Sequence, residues 1–262
     1  MDLGLKGRIA VVMGASQGLG KASAVQLAAE GAHVVLVSRS ADKLEAVKGE
    51  IEAAGGSAQV HTCDLFDAGA RAEFVEFLGS MEQLDVLVAN SGGPAPGMAP
   101  GIASEVWTKE FDAMVLGLIQ IMDASVARMK SKGFGRVVVI ASSGIVVPIP
   151  KLAVSNTLRS AVAGYVKTLA EQMAPHGVTC NLVLPGRIET PRTQAIDQAT
   201  AANMEISVEE ARAASAATIP MGRYGTPEEF GAVVTFLASA PAAYITGSQV
   251  RVDGGAIKSI NA

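Results

Sequence analysis

Three glycines and an arginine near the start of the chain have the types and spacing to hold a dinucleotide. Gly14-Ala15-Ser16-Gln17-Gly18-Leu19-Gly20 follows an apolar run, Arg8 to Met13, and leads directly into a helical pattern from Lys21 to Glu30. A turn that brings bare backbone N–H groups up to a pyrophosphate cannot carry Cβ atoms at its closest points, which suits glycine at 14, 18 and 20. The helix beginning there adds partial positive charge. A tight turn with no ligand is the alternative, since glycine is common here at 28 of 262 residues; a strand before and a helix after favour the nucleotide. A second apolar run, His33 to Val37, ends in Ser38-Arg39. A carboxylate at that point would accept from the ribose hydroxyls of NAD and repel a 2′-phosphate, whereas a guanidinium can bind the phosphate bidentately. NADP(H) is therefore expected over NAD(H).

Positioning these groups takes a strand–turn–helix–strand unit, and the rest of the chain repeats its alternation. Helical patterns over Asp42 to Ala54 and Asp67 to Gly79 flank a strand at Ser57 to Thr62; further strands are expected at Leu84 to Ala89, Arg136 to Ala141, Val178 to Leu184 and Gln249 to Val252. One long helix is expected from Ser104, as its cap, to Lys132, and a second from Val154 to Met173. Arg192 to Ala217 is alanine-rich and helical, and a lid of roughly residues 190–220 over the site is expected from it. Thr226-Pro227 opens the last helix. The pattern predicts an α/β fold, a Rossmann-type doubly wound parallel sheet in three αβα layers, as a single domain over residues 1–262.

Composition limits the partners. With 49% hydrophobic residues the chain can bury a substantial core, and a net charge of −4 with scattered lysines and arginines argues against nucleic acid or an anionic membrane. No apolar run reaches the roughly 20 residues needed to span a bilayer, and Met1 to Lys6 has no leader pattern. A cytoplasmic protein acting on a small molecule is expected. Cys63 and Cys180 read as buried free thiols, and the histidines at 33, 61 and 176 have no ligand spacing, so no metal is expected.

Together these landmarks resemble the short-chain dehydrogenase/reductase family, most nearly its 3-oxoacyl-acyl carrier protein reductases. The G-x-x-x-G-x-G turn, Asp64, Asn90 with Gly92, Ser142, Asn181, Pro185-Gly186 with Thr190, Gly222 to Glu229 and Gly247 to Gly255 stand where that family's motifs fall. The resemblance implies that Asp64 and Leu65 meet the adenine, that Asn90 steadies the central strand and cofactor, and that Pro185, Gly186, Ile188 and Thr190 line the nicotinamide. It also implies a carbonyl or hydroxyl substrate and a homodimer or homotetramer built on the two long helices.

The family's catalytic Asn, Ser, Tyr and Lys are not all present. By resemblance the helix frame puts the Lys position at Arg159, the Tyr position at Ser155 and the Asn position at Met114, with only Ser142 retained. Tyr165 lies ten residues beyond Ser155, about 280° around a helix, and cannot replace the missing phenol. Arginine stays protonated and shuttles no proton, though it can hold a ribose or polarise a carbonyl, again with Ser155 on the same helix face. An atypical oxidoreductase using Ser142, Ser155 and Arg159 is expected; the alternative is a cofactor-binding regulatory or scaffold protein without turnover.

Overall fold

A computed structural model describes residues 1–260. Seven strands form one parallel sheet in the order β3-β2-β1-β4-β5-β6-β7: β1 (Ile9–Met13), β2 (His33–Ser38), β3 (Ser57–Thr62), β4 (Val86–Ala89), β5 (Gly135–Ile140), β6 (Val178–Pro185) and β7 (Gln249–Val252). All six neighbouring pairs are parallel, so each return crosses a face of the sheet, and the expected doubly wound αβα architecture is what the chain adopts.

Alternation along the buried strands feeds two cores. Val11 and Met13 of β1 point into the layer that holds α3 (Ala68–Ser80), α5 (Gly117–Lys132) and α6 (Ala153–Met173). Ala10 and Val12 point the other way, onto α1 (Gly18–Ala29), α2 (Ala41–Ala53) and α9 (Pro227–Leu237). Asn181, fully buried in β6, donates to Ile245 O at 2.7 Å and accepts from Ser248 N at 3.1 Å, which fixes the approach to β7.

Three features differ from the pattern read in the sequence. Ala103, not Ser104, occupies the cap of α4 (Ser104–Phe111), and its methyl can make no side-chain hydrogen bond; Ser104 already lies inside the first turn. The expected single helix from 104 to 132 is interrupted by a π turn at Asp112–Leu116, where Asp112 reaches back to Arg71 of α3 at 2.6 Å. The stretch from 192 to 217 is two helices, α7 (Pro191–Met204) and α8 (Val208–Ala217). Left-handed Glu205 ends the first, and a Ser207–Glu210 capping box starts the second. Thr226 caps α9 in the same way with Glu229, and Pro227 takes the first helical position as expected.

Candidate active site

Strand order reverses between β1 and β4, opening a crevice at their C-terminal ends. Gly14 to Gly20 turn out of β1 at this point. A Cβ on Gly14 would stand 2.5 Å from Asn90 Nδ2, so the turn lies directly against the residue after β4. A Cβ on Gly20 would meet Gly14 O at 2.3 Å, which makes glycine obligatory where the helix folds back under the turn. Gln17 caps α1 in extended conformation with no side-chain hydrogen bond, and no acidic residue follows in the first turn. The N–H groups of that turn are thus left to a ligand, and a pyrophosphate fits them by charge and geometry.

The other residues singled out for the cofactor fall along the same strand ends. Ser38 ends β2, where its Oγ accepts from Ser40 N at 3.2 Å, and Arg39 is exposed beside it with no acidic partner among the described residues. Asp64 and Leu65 follow β3, with Asp64 Oδ1 accepting from Phe66 N at 3.0 Å. Asn90 and Gly92 follow β4, and a Cβ on Gly92 would meet nothing within 4 Å. Pro185 closes β6, and Gly186 packs so closely on Asp253 that a Cβ would come within 2.6 Å of its Cα. Thr190 caps α7, accepting from Thr193 N at 3.3 Å. Ile188 is only 4% exposed, packs into the α1/α9 core and borders a cleft with Gly225 and Asp253.

The candidate catalytic groups gather at the ends of β4 and β5. Ser142 caps a short 3-10 turn, its Oγ accepting from Gly144 N at 3.0 Å. Ser155 is buried on the first turn of α6, and its hydroxyl makes no hydrogen bond within the protein. One turn on, the half-buried Arg159 donates from its guanidinium to Ile140 O at 3.2 Å and Ser91 O at 3.3 Å. Burial first, and the Arg192 charge second, bring its pKa down from the ordinary guanidinium value to about 10, and no carboxylate offsets either effect. The π turn carries Met114 into the pocket that Arg159 shares with Ser91, Leu118 and Val162.

Several residues expected near the site do other work. Tyr165 donates to Asp123, which with desolvation pushes the phenol far above its ordinary range and keeps it out of the chemistry. Glu189 is paired with Arg212. Cys63 and Cys180 are free buried thiols pushed up to about 11 and about 12 by desolvation. Among the described residues no cluster of His, Cys, Asp or Glu could hold a metal. Sequence reading missed Asn156, whose amide donates to Ile149 O at 2.9 Å and ties α6 to the loop after Ser142; a polar amide inside a helix beside Ser155 was the signal. It also missed the arginine-facing Ser91, whose buried Oγ has no partner, and Glu110, whose Oε2 is buried and unpartnered.

Fold, phosphate turn and strand-end crevice together define a Rossmann-type oxidoreductase, and the chain belongs to the short-chain dehydrogenase/reductase family. The family model described as enoyl-(acyl carrier protein) reductase matches residues 14–256. The chain is 36% identical over 256 residues to the NADPH-dependent reductase BacG of Bacillus subtilis, covering 97% of this chain and 99% of that one. It is 34% identical to a 3-oxoacyl-[acyl-carrier-protein] reductase of Synechocystis, covering 97% and 98%. The crystal structure of L-sorbose reductase from Gluconobacter frateurii, complexed with NADPH and L-sorbose, superposes with a TM-score of 0.93 at 28% identity, covering 99% and 100%.

Proposed function

We propose that the protein is an NADP(H)-dependent carbonyl reductase in which Arg159 and the serines replace the usual catalytic set. The observation that carries this reading is the half-buried Arg159 guanidinium, held between the ends of β4 and β5 with no carboxylate to neutralise it. Such a cation can hold the hydroxyls of a cofactor ribose and stabilise negative charge forming on a substrate oxygen. The unpaired Arg39 supports a 2′-phosphate, in line with the NADPH named for BacG and for the L-sorbose reductase structure.

When bound, the nicotinamide supplies the hydride. Ser142, fixed by Gly144 N, and Ser155, whose hydroxyl is free, orient the carbonyl oxygen, and Arg159 balances its developing charge. Met114 excludes water from the back of the pocket, where an Asn would hold it. The helices α7 and α8 cover the substrate, and the exposed Phe111 and Leu116 support self-association on the faces of α4 and α5. The substrate is a small ketone such as a 3-oxoacyl thioester or a keto sugar, and the cytoplasm is the expected compartment.

Calorimetric titration with NADPH and NADH, followed by NADPH oxidation with acetoacetyl-coenzyme A and with L-sorbose, tests the reading. Micromolar NADPH binding, much weaker NADH binding and turnover of either ketone support it. Binding of neither nucleotide would refute it.

A further inference from the structure

Two guanidinium groups meet on the segment that follows β4. Arg159 reaches it from α6 and donates to Ser91 O at 3.3 Å. Arg192 reaches it from the first turn of α7: a Cβ on Gly93 would stand 2.6 Å from Nη1 of Arg192, 2.7 Å from Nη2 and 2.9 Å from Cζ. The guanidinium fork therefore occupies the space that any side chain at 93 would need. Ser91 and Gly93 are two residues apart, at most ~7 Å of chain. The charge of Arg192 is felt at Arg159, where it adds to burial in lowering the guanidinium pKa.

The protein itself gains nothing from a cation at 192. Among the described residues Arg192 donates no hydrogen bond and enters no ion pair. It stands in the first turn of α7, where the helix already presents partial positive charge, an end that favours anions and disfavours cations. Its base is nonetheless held firmly. Thr190 accepts from Thr193 N at 3.3 Å, Thr193 donates to Ile188 O, and Asp197 accepts from the buried Tyr224 hydroxyl at 2.8 Å. Two guanidinium groups and a helix N-terminus thus converge beside the crevice, and neither arginine is ion-paired.

We propose that the substrate is an oxo acid, whose carboxylate is bound by Arg192 while Arg159 faces its carbonyl oxygen, and that Arg192 sets this specificity. The inference rests on the reductase reading above and narrows its small ketones to 2-oxo and 3-oxo acids. The cofactor's own anions have places elsewhere in that reading, the pyrophosphate on the turn from Gly14 to Gly20 and the 2′-phosphate at Arg39. A planar guanidinium fork matches a carboxylate bidentately, and a carboxylate held on Gly93 fixes which way the neighbouring carbonyl points.

The test measures NADPH oxidation with 2-oxobutanoate and acetoacetate, each against its neutral methyl ester, and calorimetric binding of both acids to the NADP⁺-loaded protein. It compares the parent with Arg192→Gln, Arg192→Lys and Gly93→Ala. Expected in the parent is a kcat/KM for at least one acid about tenfold or more above that for its ester. Arg192→Gln lowers this acid-to-ester ratio by about tenfold or more, chiefly through KM, with NADPH affinity within about threefold. Arg192→Lys retains part of the ratio, as a point charge without the fork. Gly93→Ala keeps the charge but pushes the fork off its seat, and lowers the ratio as well. A parent ratio near one, a ratio that survives Arg192→Gln, or an NADPH-binding parent to which neither acid binds overturns the oxo-acid assignment alone. A fall in NADPH affinity with the ratio intact gives Arg192 to the cofactor's diphosphate and overturns it too. A parent that binds no NADPH overturns the reductase reading and this assignment with it.

Discussion

Replacing Arg159 with methionine is expected to make the protein more stable and less competent. The guanidinium is charged in the folded state at the expense of its hydration, which lowers its pKa from the ordinary guanidinium value to about 10. A base held down in this way destabilises the fold wherever it is charged, so the penalty is full below pH 10 and fades as pH rises from 10 toward the ordinary guanidinium pKa. At ~1.4 kcal/mol per pH unit the penalty is about 3 kcal/mol. The two long hydrogen bonds to Ile140 O and Ser91 O return about 1 kcal/mol each and are lost with it. Methionine fills much the same volume beside Met114, so the variant gains about 1 kcal/mol, worth roughly 2–4 °C in melting temperature for a chain of this size. NADPH at 100 times its dissociation constant stabilises a binding-competent protein by about 2.7 kcal/mol. That increment should shrink in the variant, because the contact to the ribose is gone. Urea unfolding at pH 7.5 with and without NADPH measures both quantities. A variant less stable than the parent by 1 kcal/mol or more, with the NADPH increment intact, would refute the account of Arg159 as a strained cation kept for its ligand.

Gly20→Ala places a methyl 2.3 Å from Gly14 O, so the phosphate turn must open; NADPH affinity is expected to fall at least tenfold by calorimetry, with about 1–3 kcal/mol lost in denaturant unfolding. Arg39→Glu removes the unpaired cation at the end of β2 and adds a carboxylate, so the preference for NADPH over NADH should invert in parallel titrations. Glu229 is held at about 2, first by the bidentate Arg223 guanidinium and then by Thr226 N, and its ordinary value is 4.5. Its contribution is complete above pH 4.5 and is lost as pH falls toward 2, so Glu229→Gln should flatten that part of the acid-unfolding curve; an unchanged acid limb would count against the pairing.

The fold was legible because its strands are short and rich in β-branched residues, the central β1, β2, β4, β5 and β6 are almost wholly buried, and glycines such as Gly20 and Gly186 meet backbone at close range. Ser57–Thr62 and Gln249–Val252 coincide with the runs read from sequence, and Thr226 caps α9 through the side chains that announced it. The π turn was hidden: Asp112 to Leu116 has ordinary helical composition, and the turn is found where Asp112 meets Arg71, forty-one residues earlier in sequence. The break at Glu205 was hidden for a different reason, since a left-handed glutamate has no propensity that would announce it. At the site, motif order in the sequence already places the expected cofactor residues at the strand ends, whereas the burial of Ile188 against Gly225 is a tertiary contact that local sequence does not announce.

On the proposed reading, Met114, Ser155 and Arg159 form one coherent change when the physical roles are separated. A Tyr–Lys pair joins proton transfer and positive charge in neighbouring groups, and the lysine tunes the phenol. Arginine at 159 keeps the charge and abandons the tuning, which makes a tyrosine at 155 of less value and a small hydroxyl acceptable there. Met114 then completes a dry wall around the guanidinium, and dryness strengthens the action of a fixed charge on a forming oxyanion. On the proposed reading the three positions therefore act together, Arg159 supplying charge, Ser155 a small hydroxyl and Met114 a dry wall.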